Sequence, residues 1–82
     1  MIPIQTLKDL GFTKSYGETL DNGDYYIVYS LSEGDFKLDC TNTHLKTTRN
    51  LYHQFFEING TTLNGTITEK RLKTLIKTLF KC

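Results

Sequence analysis

Turn signals divide the middle of this chain into short segments of alternating side chains, and this pattern limits the fold more than any other feature. Asn22-Gly23, Glu33-Gly34 and Asn59-Gly60 separate segments that are rich in aromatic and β-branched residues. Asn-Gly tolerates the positive φ values of a type I′ turn, which we expect at residues 21–24. Short turns place consecutive strands side by side, so the pattern predicts an antiparallel meander.

Four or five strands follow from this spacing. The clearest strand runs from Tyr25 to Leu31, where both faces carry β-forming side chains. Apolar and charged residues then alternate from Phe36 to Cys40, which predicts one buried and one solvated face. Residues 41–50 are polar and rich in threonine, and we expect a loop there. Further strands are predicted at residues 14–20, 51–58 and 61–63.

A short helix is predicted from Pro3 to Leu10. Proline suits the first helical position, where its missing N–H is not needed. The helix is expected to stop in a Schellman motif, with Gly11 in the left-handed conformation and Phe12 packed back on Leu7.

A second, amphipathic helix is predicted from Glu69 to Phe80. Thr68 is suited to cap its first turn through the side-chain hydroxyl. Its apolar residues recur at i, i+3, i+4, i+7 and i+8 and define one buried face: Leu72, Leu75, Ile76, Leu79 and Phe80.

These elements predict a single α+β domain over residues 1–82. A sheet needs a second layer, and the two helices are the available candidates. We therefore expect both helices on one sheet face, with the other face partly open. A chain of 82 residues buries only about 60–65% of the surface exposed in its unfolded form, so a deep substrate cavity is not expected.

We expect a cytoplasmic protein without metal or other cofactor. The N-terminus lacks the basic and apolar regions of a signal peptide, and no apolar run approaches the roughly 20 residues of a membrane span. Cys40 and Cys82 are expected as free thiols, the alternative being a disulfide between them. Cys40, His44 and His53 match no metal-binding spacing.

Catalysis is not expected either. Asp39, Cys40 and His53 are the residues from which a nucleophilic set would be drawn, but strand neighbours such as Asp39 and Cys40 point to opposite faces. The chain contains no Gly-rich phosphate loop, G-x-S-x-G or H-E-x-x-H pattern.

Charge is unevenly distributed along the chain. Residues 1–41 contain three lysines and seven acids, whereas residues 42–82 contain seven bases and two acids. The surface is polarised if the two halves occupy different faces, and the asymmetry cancels if the fold interleaves them. The second half contains the basic segment 44–49 and a stripe on the last helix: Lys70, Lys73, Lys77 and Lys81, with Arg71 nearby. The stripe is either a binding surface or a solvated helix face.

The ten aromatic residues are many for so short a chain. Strands rich in aromatic side chains can stack nucleic-acid bases or form a protein interface, and they also supply core residues. No ribonucleoprotein-type octapeptide is present, which lowers the prospect of RNA binding.

Three features together resemble the compact proteins encoded by phages and mobile elements. They are the helix ending in Leu10-Gly11-Phe12, the aromatic meander, and the terminal helix of lysines and leucines. That group includes inhibitors of host defence systems, anti-CRISPR proteins among them. The resemblance implies a small inhibitor that acts by binding.

We therefore predict a non-enzymatic protein-binding module, an inhibitor of a host nuclease or defence complex that acts by occlusion. The alternative is a nucleic-acid-binding protein, with RNA as the ligand, that uses the last helix and the 44–49 segment. The chain is expected to be a monomer, or a homodimer through a strand edge or the open sheet face. The residues predicted to contact the partner are Tyr25, Tyr29, Lys46, Arg49, Lys73 and Lys77.

Overall fold

The computed structural model describes residues 2–65 and 67–79 and has the predicted α+β architecture. Its five strands form one antiparallel sheet in the order β1-β2-β3-β4-β5, which is the predicted meander. Phe80, Lys81 and Cys82, which enter the predictions above, lie outside the described residues. The elements are α1 (Ile4–Asp9), β1 (Thr13–Thr19), β2 (Tyr25–Glu33), β3 (Phe36–His44), β4 (Leu51–Ile58), β5 (Thr61–Thr62) and α2 (Glu69–Leu79).

α1 ends in the predicted Schellman motif. The N–H of Phe12 donates to the carbonyl of Leu7, the N–H of Gly11 donates to the carbonyl of Lys8, and both distances are 3.0 Å. Gly11 has a φ of 102°, and both Phe12 and Leu7 are buried. The helix start differs from the prediction, because Pro3 is the N-cap residue in extended conformation and not the first helical residue.

The first hairpin turn is not the predicted type I′ turn. Only Gly23 has a positive φ there (93°), and the N–H of Gly23 donates to the carbonyl of Leu20 at 2.9 Å. Asn22 instead uses its side-chain oxygen to accept the N–H of Asp24 at 2.9 Å. The result is a three-residue loop with glycine at the left-handed position. Positive φ at both turn residues occurs at Asn59–Gly60, with values of 49° and 87°.

β3 is longer than predicted, because residues 41–44 are strand and not loop. Their polar composition indicated solvent exposure, but the side chain of Asn42 is fully buried. Its carboxamide accepts from Nε2 of Gln54 at 2.6 Å and donates to the carbonyl of Cys40 at 3.1 Å. A satisfied amide can stay inside a sheet, so the true loop covers only residues 45–50.

Both helices cover the same face of the sheet. Thr68 caps α2 as predicted, since the N–H of Arg71 donates to its Oγ1 at 3.1 Å. Phe36, predicted on the buried face, is 39% exposed because it lies at the end of the sheet beside the Gly34 turn. One buried cluster joins the helices to the sheet through Leu7 of α1, Leu72 of α2, and Tyr29, Leu38, Cys40 and Phe56 of the strands.

Neither helix in the described part of the chain has the length and hydropathy needed to cross a bilayer.

Candidate functional site

The second face of the sheet carries side chains that no helix of the described residues covers, and we call it the open face. Strand pairing defines its members, because Val28 lies opposite Tyr16 on one side and Thr41 on the other, and Thr41 lies opposite Phe55. Alternation along each strand then places the remaining residues. The open face includes Tyr16, Glu18, Tyr26, Val28, Ser30, Lys37, Asp39, Thr41, Thr43, His53, Phe55 and Glu57.

The aromatic side chains of the open face are held in a fixed arrangement. The rings of Tyr16 and Tyr26 meet edge to face, with centroids 6.0 Å apart and an interplanar angle of 83°. The hydroxyl of Tyr26 donates to Oε2 of Glu18 at 2.9 Å. Tyr16 is 56% exposed, whereas Val28 of β2, which lies between Tyr16 and Thr41 of the neighbouring strands, is only 5% exposed. A shallow groove on this face is lined by Tyr16, Leu20, Tyr26, Thr41, Thr43, Phe55 and Glu57.

The hydrogen bond from Tyr26 to Glu18 changes the acidity of the phenol. Because the carboxylate accepts the phenolic proton, it raises the pKa of Tyr26 to about 12, with smaller contributions from desolvation and from the negative charge itself. The phenol therefore remains a neutral donor at all physiological pH values.

The open face has an excess of negative charge. Glu18, Asp39 and Glu57 belong to it, and Lys37 is the lysine on the same side of β3. The Nζ of Lys37 lies 3.9 Å from Oδ1 of Asp39, but this pair is solvated and contributes little to stability. The other two carboxylates lie beside the aromatic groove.

Tyr25, Lys46 and Arg49, three of the predicted contact residues, meet at one end of the sheet. The ring of Tyr25 stacks on His44, with centroids 5.0 Å apart and an interplanar angle of 9°. The backbone N–H of Lys46 donates to Oδ1 of Asp24 at 2.9 Å, which ties the 45–50 loop to the first hairpin. Arg49 has a φ of 61°, a left-handed conformation that costs a non-glycine residue about 1 kcal/mol.

His44 contains a buried atom without a hydrogen-bond partner among the described residues. Its Nδ1 lies 3.1 Å from the carbonyl oxygen of Arg49, and since a carbonyl only accepts, Nδ1 carries the proton in this contact. Nε2 is buried and forms no hydrogen bond with any described group. The stacked ring of Tyr25 covers this end of the sheet.

Lys73 and Lys77, the other exposed residues of the prediction, lie on the outer face of α2. They line a shallow surface groove with Glu69, Lys70 and Thr74, and Lys81 lies outside the described residues. None of the hydrogen bonds described for the 45–50 loop reaches α2, so the two basic segments are not joined into one patch by these contacts. The basic face of α2 and the acidic open face lie on opposite sides of the sheet.

Tyr29 and Cys40 belong to the core and not to a surface site. Tyr29 is only 7% exposed, so its ring is not available to a partner. Cys40 is a free, fully buried thiol whose Sγ lies 3.7 Å from Oδ1 of Asn42, and burial raises its pKa to about 12. Asp39 and His53 lie on the other sheet face. Residues 2–65 and 67–79 contain no cluster of three or more His, Cys, Asp or Glu side chains that could hold a metal ion.

Sequence reasoning missed the open-face residues Tyr16, Tyr26 and Phe55. The signal that identifies them is the two-residue turn at Gly34-Asp35, which sets Tyr29 opposite Cys40 and thereby turns Tyr26 away from the core.

No protein-family model, curated protein or solved structure matches the chain.

Proposed function

We propose that this chain is a protein-binding domain whose open face docks on a basic surface of a partner protein and occludes it. The observation that supports this proposal is the uncovered edge-to-face pair of Tyr16 and Tyr26 beside Phe55, in which the hydroxyl of Tyr26 donates to Glu18. Tyrosine offers a large contact area with few rotatable bonds, so a fixed pair loses little entropy on binding.

Charge supports a basic partner. Glu18 and Glu57 lie next to the aromatic groove, where they complement lysine or arginine side chains and the tyrosine rings accept cations on their faces. The same carboxylates repel phosphate, which argues against nucleic acid as the ligand of this face.

Occlusion fits the size of the domain. Its principal extents are 40, 23 and 22 Å, so one sheet face is on the scale of the roughly 800 Å² that each partner buries in an ordinary interface. The resemblance to phage-encoded inhibitors of host defence adds the expectation that the partner is a nuclease or defence complex whose substrate-binding surface is covered.

The test is affinity capture of the tagged full chain from its native host, with and without nuclease, followed by mass spectrometry. We expect one stoichiometric protein that survives nuclease treatment. Reversing the open-face charges with Glu18→Lys and Glu57→Lys should reduce its capture at least tenfold, because like charges then face the basic partner.

The matched control is the double variant Lys73→Glu and Lys77→Glu, which reverses the same number of charges on the opposite side of the domain. Capture should remain within about twofold of the unchanged chain, given that surface charges far from an interface contribute little. If the α2 variant loses the partner and the open-face variant keeps it, the open face is not the binding surface.

A second candidate function is nucleic-acid binding through α2. The observation in its favour is the groove formed by Lys70, Lys73 and Lys77 on the exposed side of the helix. This function requires an affinity for RNA that falls steeply with salt, since phosphate contacts release counterions. Binding that is absent at low salt, or insensitive to salt, excludes it.

A further inference from the structure

The sheet has two edges, and they differ in how well they are protected. β1 forms one edge, and its pairing with β2 is interrupted by a bulge between Lys14 and Tyr16. Bulges and charged side chains are common devices that prevent an edge from pairing with another strand. β1 carries both, with Lys14 and Glu18 on the strand.

The other edge is formed by β4, which has a register shift of its own at Tyr52 but differs from β1 in carrying no charged side chain over residues 51–56. β4 pairs with β3 from Leu51 to Ile58, whereas β5 pairs with it only at Glu57 and Ile58. Residues 51–55 therefore have a strand neighbour on one side only within the described part of the chain. From Leu51 to Phe56 the sequence is Leu-Tyr-His-Gln-Phe-Phe, with no proline, no lysine and no acid. An uncharged edge of this composition is a template for a further strand.

Backbone geometry shows which groups such a strand would meet. The carbonyl of Phe56 faces outward, because it accepts the N–H of Leu63 at 2.8 Å beyond the end of β5. In an antiparallel sheet the N–H and C=O of alternate residues point to the same side. The N–H and C=O of Gln54 therefore face outward too, on the side where β4 has no strand neighbour at this position among the described residues.

A groove runs along this edge and supplies contacts for side chains. It is lined by Tyr52, His53, Gln54, Phe55, Phe56, Leu63, Gly65 and Ile67. Ile67 and Phe56 belong to the core cluster, and Leu63 packs against it. Among the residues that the structure describes, no lysine, arginine or carboxylate lines the groove, so it suits an apolar side chain.

From this geometry we infer that the edge of β4 binds an extended, apolar peptide segment of a partner protein as an added strand. The outward N–H and C=O of Gln54 require a backbone in β conformation, and alternate side chains of the peptide lie against the groove. A single extended segment fits better than a second copy of this chain. Such a segment can end before β5, whereas the chain of a second copy continues from Leu51 into its 45–50 loop, opposite the position that β5 already occupies beside Glu57 and Ile58.

This edge adjoins the open face at Phe55, which lines both grooves, but its occupancy does not depend on the proposed function. The probe is a displayed library of random seven-residue peptides, selected against the full chain. We expect enriched sequences in which apolar residues alternate, and a selected peptide should slow hydrogen exchange of the Gln54 amide at least tenfold at saturation.

The decisive control is made on the peptide, so that the protein stays unchanged. The selected peptide is synthesised with N-methyl groups on every second residue, once in each register. Methylation of the N–H groups that face β4 should weaken binding at least tenfold, because those groups donate the backbone hydrogen bonds between peptide and strand. Methylation in the other register should change the affinity less than threefold. Failure to enrich any peptide, or equal binding of both methylated forms, overturns the inference.

Two protein variants separate this site from the open face. Leu63→Ser removes an apolar contact of the groove and should lower the affinity for the selected peptide at least fivefold. Tyr16→Ser should leave that affinity unchanged. The reverse pattern would assign the peptide to the open face and overturn the edge site. A dimeric sedimentation mass for the free chain, lost when the peptide is added, would show that a second copy occupies the edge and would overturn it as well.

Discussion

The side chain of Gln54 donates from Nε2 to Oδ1 of Asn42 at 2.6 Å, and this contact joins β4 to the one fully buried polar side chain of the described core. The same carboxamide exchanges two hydrogen bonds with the backbone of Ile2, at 2.8 and 2.9 Å. Gln54 therefore links the N-terminal segment to two strands. Hydrogen bonds in such a buried network are stronger than in water, and breaking them leaves costly unpaired groups.

Truncating this link should destabilise the domain. We expect Gln54→Ala to lower the free energy of unfolding by roughly 2–4 kcal/mol, because Asn42 and Ile2 lose their partners inside the protein. Denaturant titration followed by circular dichroism measures the change. Gln5→Ala is the matched control, since Gln5 makes an exposed bond to Asp9 on α1, and it should cost no more than about 0.5 kcal/mol. Equal effects of the two variants would contradict the role assigned to the network.

The buried thiol of Cys40 should make stability fall at alkaline pH. Burial raises its pKa from 9.0 to about 12, so the unfolded chain loses the thiol proton near pH 9 while the folded chain retains it. The folded state is therefore unaffected by this group below pH 9 and loses stability between pH 9 and 12, by up to roughly 1.4 kcal/mol for each pH unit. Unfolding free energies across this range measure the slope.

The comparison uses a Cys82→Ser background, so that one thiol reports. In that background Cys40→Ala should be less stable overall because it leaves a cavity, yet its stability should decline less steeply with pH. A thiol reagent should also fail to modify Cys40 until the domain unfolds. Identical slopes with and without the thiol would refute the assignment.

The phenol of Tyr26 should be the tyrosine that titrates late. Its hydrogen bond to Glu18 raises the pKa to about 12 and stabilises the protonated form, so this stabilisation is complete below pH 10 and is lost as the pH rises towards 12. Glu18→Ala removes both the acceptor and the charge and should return the pKa towards 10. Glu18→Gln keeps an acceptor and should give an intermediate value.

Ultraviolet absorbance of tyrosinate follows this titration directly. Tyr26→Phe is the control, because it should remove the late component and leave the other four tyrosines unchanged. A late component that persists in Tyr26→Phe would belong to another tyrosine.

The hydroxyl of Thr68 should matter more than other hydroxyls of α2. Thr68→Ala removes the acceptor for the N–H of Arg71 and should cost about 1 kcal/mol of unfolding free energy. Thr74 is the matched control, because its hydroxyl donates to the carbonyl of Lys70. That carbonyl is also the acceptor of a backbone N–H within the helix, so it keeps a partner when the hydroxyl is removed. Thr74→Ala should be neutral or slightly stabilising, since alanine has the higher helix propensity. Thermal or denaturant unfolding compares the two.

Much of the architecture follows from local rules that the sequence displays. The order of elements, the Leu-Gly-Phe helix stop and the Thr68 cap depend on contacts between residues close in the chain, and the structure confirms them. Residues 41–44 were misassigned for the opposite reason. Asn42 looks like a loop residue until its distant partner Gln54 is known, and propensity contains no information about that partner.

The candidate site was harder to predict because it depends on strand register. Tyr25 and Tyr29 were chosen as contacts from the aromatic strand, yet the Gly34-Asp35 turn pairs Tyr29 with Cys40 on the buried face. The same register places Tyr26 on the open face, an inference within reach of the sequence once the turn is read as two residues. The hydrogen bonds of the 45–50 loop, which run to the first hairpin and not to α2, depend on tertiary packing and are not predictable from the sequence.

Every residue of β1 is exposed, and the strand is bonded to β2 alone. Its opening free energy should therefore be the lowest of the longer strands, so that β1 detaches while the rest of the sheet stays closed. Because Tyr16 and Glu18 leave with it, the proposed binding surface is complete only while β1 is paired with β2. A partner that contacts both Tyr16 and Tyr26 would therefore hold β1 on the sheet. Its affinity would vary with temperature according to the equilibrium between paired and detached states of this seven-residue strand.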